Sequence, residues 1–342
     1  MRYLLALMAL FLSAASALAA SAVNFYAIPT PLAFPIAIAA DRNGDIWFLE
    51  SDANKLGRFR PESSSFTEYN IPTVKSVPVD MAVDAQGMVW FLEQDANQLA
   101  VFNPARGTFT EYEVPSPGSQ PYKLAIDKSG RIWFTEFSIN KIGMFDPSTK
   151  KFKEYSIPSK LSQPIGIAVD AKGGVWFVES NSNRIAGLDP VTGAIKEYAI
   201  PIPFAIPTEL EVDRDSNLWF GARKDRKLVR FDTVSHRFTE FNMPGKRVPE
   251  GIAVDGDGFV WYSDKWEGKI GRLDAVKKDF VEIEMPLSIK PYAIALAPSG
   301  RVWFTELSMH KLGVVDARAF SGKRGAAIEL TTSEKEALKK GN

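Results

Sequence analysis

The feature that most constrains this chain is a tryptophan that recurs at almost constant spacing along its 342 residues. Successive members of the series are 43, 43, 43, 43, 42 and 42 residues apart, at Trp47, Trp90, Trp133, Trp176, Trp219, Trp261 and Trp303. A proline opens each copy with the same period, at Pro35, Pro78, Pro121, Pro164, Pro207, Pro249 and Pro291. A period of this length indicates one supersecondary unit repeated in an array, so the chain is built from seven copies.

Each copy contains four short segments rich in β-branched and aromatic residues, which turn residues separate. In the third copy these segments are residues 123–126, 131–135, 141–145 and 152–157. The second segment is apolar at consecutive positions, as in Ile132-Trp133-Phe134, so both of its faces must be covered. A small sheet stacked between two similar sheets meets that demand. The sequence therefore predicts an all-β fold, a seven-bladed β-propeller of four-stranded blades.

The two ends of the repeat predict how the ring closes. The last copy ends after residues 311–316 and has no counterpart of the fourth segment, 152–158. The missing pattern stands at the other end, in Asn24-Phe25-Tyr26-Ala27-Ile28-Pro29. We therefore expect the N-terminal strand to complete the last blade, which would remove open sheet edges.

The segments outside the repeat predict where the protein resides. Residues 1–22 have a basic start, an apolar run and a small-residue end, which is typical of a secretory signal peptide. The predicted domains are thus a signal peptide at 1–22, the propeller at 23–320 and a C-terminal tail at 321–342. The tail ends in charged residues, and we interpret it as a solvated helix or frayed end. We expect a periplasmic or secreted protein.

Composition narrows the choice of partners. The chain has 41 basic and 41 acidic residues and no basic stripe, which excludes a nucleic-acid partner on electrostatic grounds. It has no cysteine, which excludes a thiol nucleophile and a lipid-modified cysteine anchor. No segment after the signal is apolar enough for a membrane span. We expect a monomer that binds a small molecule, a peptide or a partner protein.

The repeat acts as an internal control, because residues that depart from it are candidates for function. In a propeller the loops that lead from the fourth to the first strand and from the second to the third emerge on one face, around the central channel. Behind the opening prolines, some blades carry charged or aromatic residues where others carry apolar or small ones. We predict that these residues bind a ligand at the channel mouth: Asp80, Tyr122, Lys123, Glu209, Glu250 and Tyr292. The alternative is a solvated rim or a channel-lining ion pair.

Two further departures lie on the same predicted face. Arg223 begins a basic run, residues 223–227, which could steer an anionic ligand or form a solvated loop. Trp266 is the one tryptophan outside the repeat, and it could stack on a ligand or cap the core of its neighbour. We include Arg223 and Trp266 among the predicted ligand-binding residues.

An acidic residue ends the second strand of six of the seven copies, at Glu50, Glu93, Glu136, Glu179, Asp264 and Glu306. Such a ring could hold a divalent cation, and Glu306 and Asp264 are our candidate metal ligands. The structural alternative, which we favour, pairs each acid with the basic residue five positions on, as Glu50 with Lys55 and Glu306 with Lys311.

The chain has only two histidines, and neither belongs to a catalytic pattern. His310 occupies a turn position that Asn fills in four copies, where the backbone takes positive φ and His is tolerated. His236 is expected in a loop on the outer rim. There is no Ser/His/Asp set and no metal-binding spacing of histidines.

The fullest copy, from Pro164 to Gly187, reads PIGIAVDAKGGVWFVESNSNRIAG. This pattern resembles the virginiamycin B lyase (streptogramin B lyase) family over residues 29 to about 316. The resemblance implies a seven-bladed propeller and, for lyase members, ring opening of cyclic depsipeptide antibiotics by elimination with a divalent cation, usually magnesium. It also implies histidines in late Pro-His-(Ala/Gly)-Ile motifs. Here those positions are Glu250 and Tyr292.

We therefore favour a propeller that binds a ligand without turnover and whose cofactor, if it has one, is unknown. The alternative is a magnesium-dependent lyase or a hydrolase with a rebuilt site, in which Glu250 would be the base and Glu306 or Asp264 would hold the metal. A pure scaffold is a third hypothesis. The loops that precede Pro249 and Pro291 are one residue shorter than the others, which points to the same two blades.

Overall fold

The computed structural model of the protein describes residues 23–245, 249–286 and 289–320, and every structural statement below concerns these ranges. Its strands form seven four-stranded antiparallel sheets, which confirms the predicted propeller. The predicted signal peptide and C-terminal tail, 1–22 and 321–342, lie outside the described residues. The innermost strands of neighbouring blades contact one another around the whole ring.

In blades one to six the strands run in chain order from the channel outwards, whereas in blade seven the outer strand is β1. The first strand, β1 (Val23–Ala27), belongs to blade seven. Blades one and two comprise β2 (Pro35–Ala40), β3 (Ile46–Glu50), β4 (Lys55–Arg60), β5 (Ser65–Asn70), β6 (Pro78–Val83), β7 (Val89–Glu93), β8 (Gln98–Asn103) and β9 (Thr108–Glu113). Blades three and four comprise β10 (Pro121–Ile126), β11 (Ile132–Glu136), β12 (Lys141–Asp146), β13 (Lys151–Ser156), β14 (Pro164–Val169), β15 (Val175–Glu179), β16 (Arg184–Leu188) and β17 (Ile195–Ala199). Blades five to seven comprise β18 (Glu211–Val212), β19 (Asn217–Ala222), β20 (Lys227–Asp232), β21 (Phe238–Asn242), β22 (Ile252–Val254), β23 (Val260–Asp264), β24 (Lys269–Asp274), β25 (Asp279–Glu284), β26 (Pro291–Leu296), β27 (Arg301–Glu306) and β28 (Lys311–Asp316).

The ring closes through β1, as the sequence predicts. This strand pairs antiparallel with β28, from Val23 opposite Val315 to Ala27 opposite Lys311, and so forms the outer strand of blade seven. Tyr26 packs against Phe59 of blade one, with ring centroids 4.5 Å apart. The N-terminal strand therefore completes one blade and also contacts the next.

The repeat tryptophans join the turns to the core. In six blades the indole N–H donates to the aspartate of the turn between the first two strands, at 2.8–3.1 Å. The same aspartate accepts backbone N–H groups of its own turn, as Asp41 does from Asn43 and Asp45. Blade seven has Ala297 at this position and lacks the bond. The Asp and Trp of the repeat are thus one structural unit.

Glycine in the third strand lets an aromatic ring lie flat across the sheet. A Cβ on Gly143 would stand 2.2 Å from Cζ of Phe134, and on Gly57 it would stand 2.1 Å from Cζ of Phe48. The rings occupy the space that any larger residue would need, because the facing strands pair these residues directly.

The turn between the second and third strands anchors the loop that leads into the next blade. Asn140 has φ of 61°, donates from Nδ2 to the carbonyls of Ile157 and Ser159, and accepts from the N–H of Ser162. Asn54, Asn97 and Asn183 do the same in their blades. His310 has φ of 53°, as predicted, and its Nδ1 accepts from the N–H of Phe34.

One short 3₁₀ helix, η1 (Ala317–Phe320), follows β28. Its Phe320 is buried against Trp261 of blade six, with ring centroids 4.7 Å apart. Arg272 donates to the carbonyl oxygen of Phe320 at 3.0 Å. Within the described ranges, no helix is long and apolar enough to cross a membrane.

Candidate functional site

Bulges at the start of the inner strands direct side chains into the channel mouth. Between β10 and β11 the register shifts between Pro121 and Leu124, so Tyr122 and Lys123 have no direct cross-strand partner. The N–H of Lys123 donates instead to Thr135 Oγ1 at 3.1 Å. In blades six and seven the hydroxyls of Ser263 and Thr305 accept from the N–H of Gly251 and Ala293 in the same way. In blades three, six and seven a hydroxyl on the second strand thus holds the backbone that leads into the inner strand.

The predicted channel-mouth residues surround a cavity of about 150 Å³. Its apolar wall comes from blades one, two and four, through Ile36, Val79 and Ile165. The rest of the lining carries charged and hydrogen-bonding groups, and includes Tyr122, Lys123, Glu209, Arg223, Glu250 and Tyr292. The structure therefore brings together six of the eight predicted ligand-binding residues, and it offers one apolar and one polar side.

Lys123 holds the first of two charge clusters at this mouth. Its Nζ lies 3.2 Å from Asp80 Oδ1 and 2.9 Å from Glu209 Oε1, which links blades two, three and five. Burial disfavours the ammonium, but the carboxylates of Asp80 and Glu209 outweigh it and raise the pKa of Lys123 well above its usual value. Burial raises the pKa of Asp80 as well, against the opposing effect of Lys123. The ammonium is therefore charged at any physiological pH.

Glu211 belongs to the same cluster and was not predicted. Burial, followed by the charge of Glu209, raises its pKa from 4.5 to about 8, so it is mostly protonated at neutral pH. The sequence could have identified Glu211 as a candidate, because it departs from the repeat. The six other copies have alanine at this position, at Ala39, Ala82, Ala125, Ala168, Ala253 and Ala295.

Glu250 lies at the centre of the second cluster, with a side chain that is only 3% exposed. Its Oε2 is 2.8 Å from Arg223 Nη2, and its Oε1 is 3.1 Å from Lys265 Nζ. The indole N–H of Trp266 also donates to Oε1, at 3.2 Å. Both oxygens of Glu250 are thus occupied by donors, which leaves it poorly placed to remove a proton from a substrate.

The aromatic residues of the site have separate roles. Trp266 is 60% exposed, so it does not cap a core, and Lys265 Nζ lies 5.2 Å from the centroid of its ring. The same ammonium lies 5.1 Å from the ring of Tyr292. Burial raises the pKa of Tyr292 to about 12, and it raises the pKa of Tyr122 too. Both phenols are therefore neutral at physiological pH.

The favoured ion pairs between second-strand acids and the bases five residues on are wrong. Lys55 Nζ lies 3.1 Å from Glu68 of the outer strand, and Lys141 and Arg184 likewise contact Glu154 and Glu197 at 2.7 Å. Glu306 makes no such pair with Lys311 in the described chain. Its carboxylate accepts the N–H groups of Lys290, Ser308 and Met309. The bases pair with the glutamates of the outer strands because hydroxyl and N–H groups, such as those of Thr30, fix those glutamates in position.

Four second-strand acids are left buried, and in the described structure neither oxygen of any of them has a hydrogen-bond partner: Glu50, Glu93, Glu136 and Glu179. Burial is the largest cause of a raised pKa in each. The pKa of Glu50 and Glu136 is raised to about 8, and that of Glu93 and Glu179 to about 7. Each also lies near an outer-strand glutamate, whose charge adds to the shift.

The donors at this face do not fit the magnesium ion that the resemblance implies. Glu306 caps its turn, and Asp264 accepts the N–H groups of Trp266 and Glu267. The side chains of Asp80, Glu209 and Glu250 already contact Lys123, Arg223 or Lys265. Among the described residues, no three Asp, Glu or His side chains converge as a metal site. A metal at Glu306 and Asp264 stays a prediction without support from this geometry.

The remaining predicted features contribute little to the mouth. Of the basic run, only Arg223 lines the cavity, because Arg226 donates to the carbonyl of Gly245 and Lys227 pairs with Glu240. His236 contacts Tyr198, with ring centroids 4.6 Å apart, at the loop between β20 and β21. Part of each shortened loop, residues 246–248 and 287–288, lies outside the described residues.

Comparison with known proteins identifies the relatives of this chain. The sequence profile of the virginiamycin B lyase family matches residues 16–171 and again 148–333. A solved structure of streptogramin B lyase aligns with a TM-score of 0.80 at 27% identity, over 85% of this chain and 96% of that chain. A catalytically inactive histidine-to-alanine variant of virginiamycin B lyase from Staphylococcus aureus, with quinupristin, aligns with a TM-score of 0.80 at 28% identity, over 86% and 98%.

More distant structures share the fold alone. The extracellular domain of a hybrid two-component system from B. thetaiotaomicron aligns with a TM-score of 0.65 at 15% identity, over 86% of this chain and 42% of that chain. No curated protein sequence matches the chain.

Proposed function

The chain belongs to the virginiamycin B lyase family, and on that premise we propose that it is an exported propeller that binds its ligand at the channel mouth without chemical turnover. The ligand is a small molecule, a peptide or a segment of a partner protein. Export rests on the signal-like residues 1–22 of the sequence.

The observation that carries this proposal is the pairing of charge around the mouth. Lys123 contacts two carboxylates, and Glu250 contacts two cations. An elimination needs a base to remove a carbon-bound proton and an electrophile to stabilise the resulting anion. Glu250 and Tyr292 stand where the resemblance expects histidines. Neither suits a base, because the oxygens of Glu250 are occupied and the pKa of Tyr292 is about 12.

The size and lining of the cavity indicate what kind of group it would accept. Pockets for drug-sized ligands measure roughly 300–1,000 Å³, whereas this one measures about 150 Å³. It would therefore admit one anchoring group rather than a whole ligand. With Ile36, Val79 and Ile165 on one side and ion pairs on the other, an apolar group with a hydrogen-bonding end is the best match.

A second candidate function is a lyase or hydrolase with a rebuilt site. It is favoured by the 28% identity to the S. aureus lyase variant, whose structure was determined with quinupristin. In this alternative Glu250 would act as the base, once a substrate had displaced Arg223 or Lys265, with a cation at Glu306 or Asp264.

Quinupristin is the first probe for both functions. The full chain would be incubated with quinupristin and magnesium chloride and then examined by liquid chromatography with tandem mass spectrometry. Ring opening by elimination yields an isomer with a new retention time, whereas hydrolysis adds the mass of one water. We expect unchanged quinupristin. Ring opening that Glu250→Ala abolishes would overturn binding without turnover.

Binding would be measured by isothermal titration calorimetry, first with quinupristin and then with a library of short peptides that carry apolar side chains. We expect Tyr292→Ala to weaken the binding of a captured probe at least about tenfold, a loss typical of a buried aromatic anchor. Val276→Ala is the matched control, because Val276 is exposed in the loop between β24 and β25, outside the mouth. Equal binding by Tyr292→Ala and the parent would refute a site at the channel mouth.

A further inference from the structure

Blade two differs from every other blade at the first residue of its third strand. Six blades carry a basic residue there, at Lys55, Lys141, Arg184, Lys227, Lys269 and Lys311. Blade two carries Gln98. Blade two therefore lacks a positive charge at a position that acidic residues of the neighbouring strands surround. Blade three shows the role of that charge.

In blade three the basic residue neutralises an acidic pair. Lys141 Nζ lies 2.7 Å from Glu154 Oε2 and 2.9 Å from Ser116 Oγ. Glu136 stands directly opposite Lys141 on the neighbouring strand, and Glu154 stands opposite Gly143. Since residues that pair across a sheet share a face, Glu136, Lys141 and Glu154 all lie on one side of the blade.

Blade two keeps both acids and the hydroxyl, but it lacks the ammonium. The N–H and Oγ1 of Thr73 donate to Glu111 at 3.1 Å, as Ser116 does to Glu154. Glu93 pairs with Gln98 in the register, and Ala100 pairs with Glu111, so the three polar side chains again share a face.

Three oxygens in this place are buried without a partner at full hydrogen-bonding geometry in the described structure, and the side chains of Ser76 and Glu111 are the polar groups nearest to Glu93. The three oxygens are both carboxylate oxygens of Glu93, whose side chain is fully buried, and Oε1 of Gln98. Blades three and four also bury an unpartnered second-strand acid, but a lysine or arginine lies close by. Within the described ranges, only blade two adds an unpartnered amide oxygen to an acidic pair. Buried polar atoms are costly without a partner, so this arrangement points to a ligand.

We propose that blade two binds a calcium ion at the position that the lysine or arginine side chain fills in blades one, three and four. The available donors are the oxygens of Glu93 and Gln98, with Oε2 of Glu111 and Oγ1 of Thr73 beside them. An all-oxygen set selects a hard cation over zinc or copper, and two carboxylates favour a divalent ion. Calcium accepts roughly six to eight oxygen ligands in irregular geometry, whereas magnesium retains several waters.

This site is distinct from the channel mouth, and it is independent of the proposed function. It would act as a structural staple, joining β7, β8, β9 and the loop that holds Thr73, as the lysine does in blade three. It also explains how one blade tolerates the loss of a basic residue at a position where all the others keep it.

The test uses the full chain after removal of divalent ions with a chelator. Calorimetric titration with calcium chloride at pH 8 should give one ion per chain, and free calcium about a hundredfold above Kd should raise Tm by roughly 3 to 5 °C. Gln98→Lys supplies the ammonium of the other blades. It should abolish the calcium response and, without calcium, melt above the calcium-free parent.

A matched variant builds the site elsewhere. Lys141→Gln in blade three places an amide between Glu136 and Glu154, as Gln98 stands between Glu93 and Glu111, so we expect the stoichiometry to rise to two ions per chain. If the parent shows no heat and no change in Tm at millimolar calcium, or if Gln98→Lys binds as the parent does, the proposal is wrong. Glu93 would then hold a proton next to Glu111 rather than share an ion with it.

Discussion

Blades one to four and blades five to seven share one repeat but treat the channel face differently. In the first group an asparagine anchors each loop to the next blade. In the second group Arg226, Gly268 and His310 take its place, all with positive φ. The backbone conformation is therefore kept, whereas most of the side-chain hydrogen bonds that accompany asparagine are not.

The inner strands of blades five and six also depart from the regular blades. Those of blades one to four and of blade seven have six residues, whereas β18 and β22 have two and three. Glu209 and Glu250 lie just before these two short strands, and both line the cavity. Blades one to four thus provide mainly the packing of the ring, whereas the blades that depart from the repeat provide most of the charged residues at the mouth.

The largest expected effect comes from breaking the closure of blade seven. Deletion of Val23–Ala27 would expose the edge of β28 and remove the packing of Val23, Phe25 and Tyr26. Buried side chains of this size contribute about 1.5–3 kcal/mol each, so Tm should fall by roughly 10 °C or more. We expect self-association through the open edge. Thermal unfolding and light scattering would measure both, and a monomer with unchanged Tm would contradict closure by β1.

A smaller loss of stability is expected when a repeat tryptophan is removed, and almost none when Trp266, the one tryptophan outside the repeat, is removed. Trp176 is 8% exposed and donates to Asp170 at 2.8 Å, whereas Trp266 is 60% exposed. Trp176→Ala should lower the free energy of unfolding by about 3–5 kcal/mol, because it leaves a cavity and removes the indole donor to Asp170 Oδ2. Trp266→Ala should cost about 1 kcal/mol or less. Urea denaturation would measure both, and equal losses would show that exposure does not separate the two residues.

The smallest effect concerns the buried acids of the regular blades. The folded state raises the pKa of Glu136 from 4.5 to about 8, so the protein binds this proton more tightly than the unfolded chain does. The resulting stability is complete below pH 4.5 and is lost as the pH rises through 8. Glu136→Gln should therefore match the parent near pH 4.5 but exceed its unfolding free energy by at least about 2 kcal/mol at about pH 9.

Glu306→Gln is the control for that experiment, because this acid belongs to an irregular blade and accepts three backbone N–H groups. It should destabilise the protein at about pH 7 and about pH 9 alike, since an amide accepts such bonds less well than a carboxylate. A parent whose stability does not decline between about pH 5 and about pH 9 would show that Glu136 is ionised in the fold.

The sequence by itself determined the architecture, because the pattern of four strands around a tryptophan recurs seven times along the chain. Trp133, Gly143 and Asn140 each meet a local demand, for a buried ring, for space above a ring and for a positive φ. Each of these requirements involves residues a fixed number of positions apart in the chain. They can therefore be recognised from residue spacing in the sequence. Strand pairing, ring closure and the conformation at His310 could all be predicted on this basis.

Tertiary structure alone decided which charges meet. Spacing along the chain paired Glu50 with Lys55, yet the lysine contacts Glu68, which the N–H and hydroxyl of Thr30 hold. Likewise Lys123 of blade three meets Asp80 of blade two and Glu209 of blade five at the mouth. These choices depend on side-chain reach, burial and the curvature of the ring. Side-chain reach, burial and curvature leave no periodic pattern in the sequence. The candidate residues could therefore be predicted from the sequence, but the residues with which they form ion pairs could not.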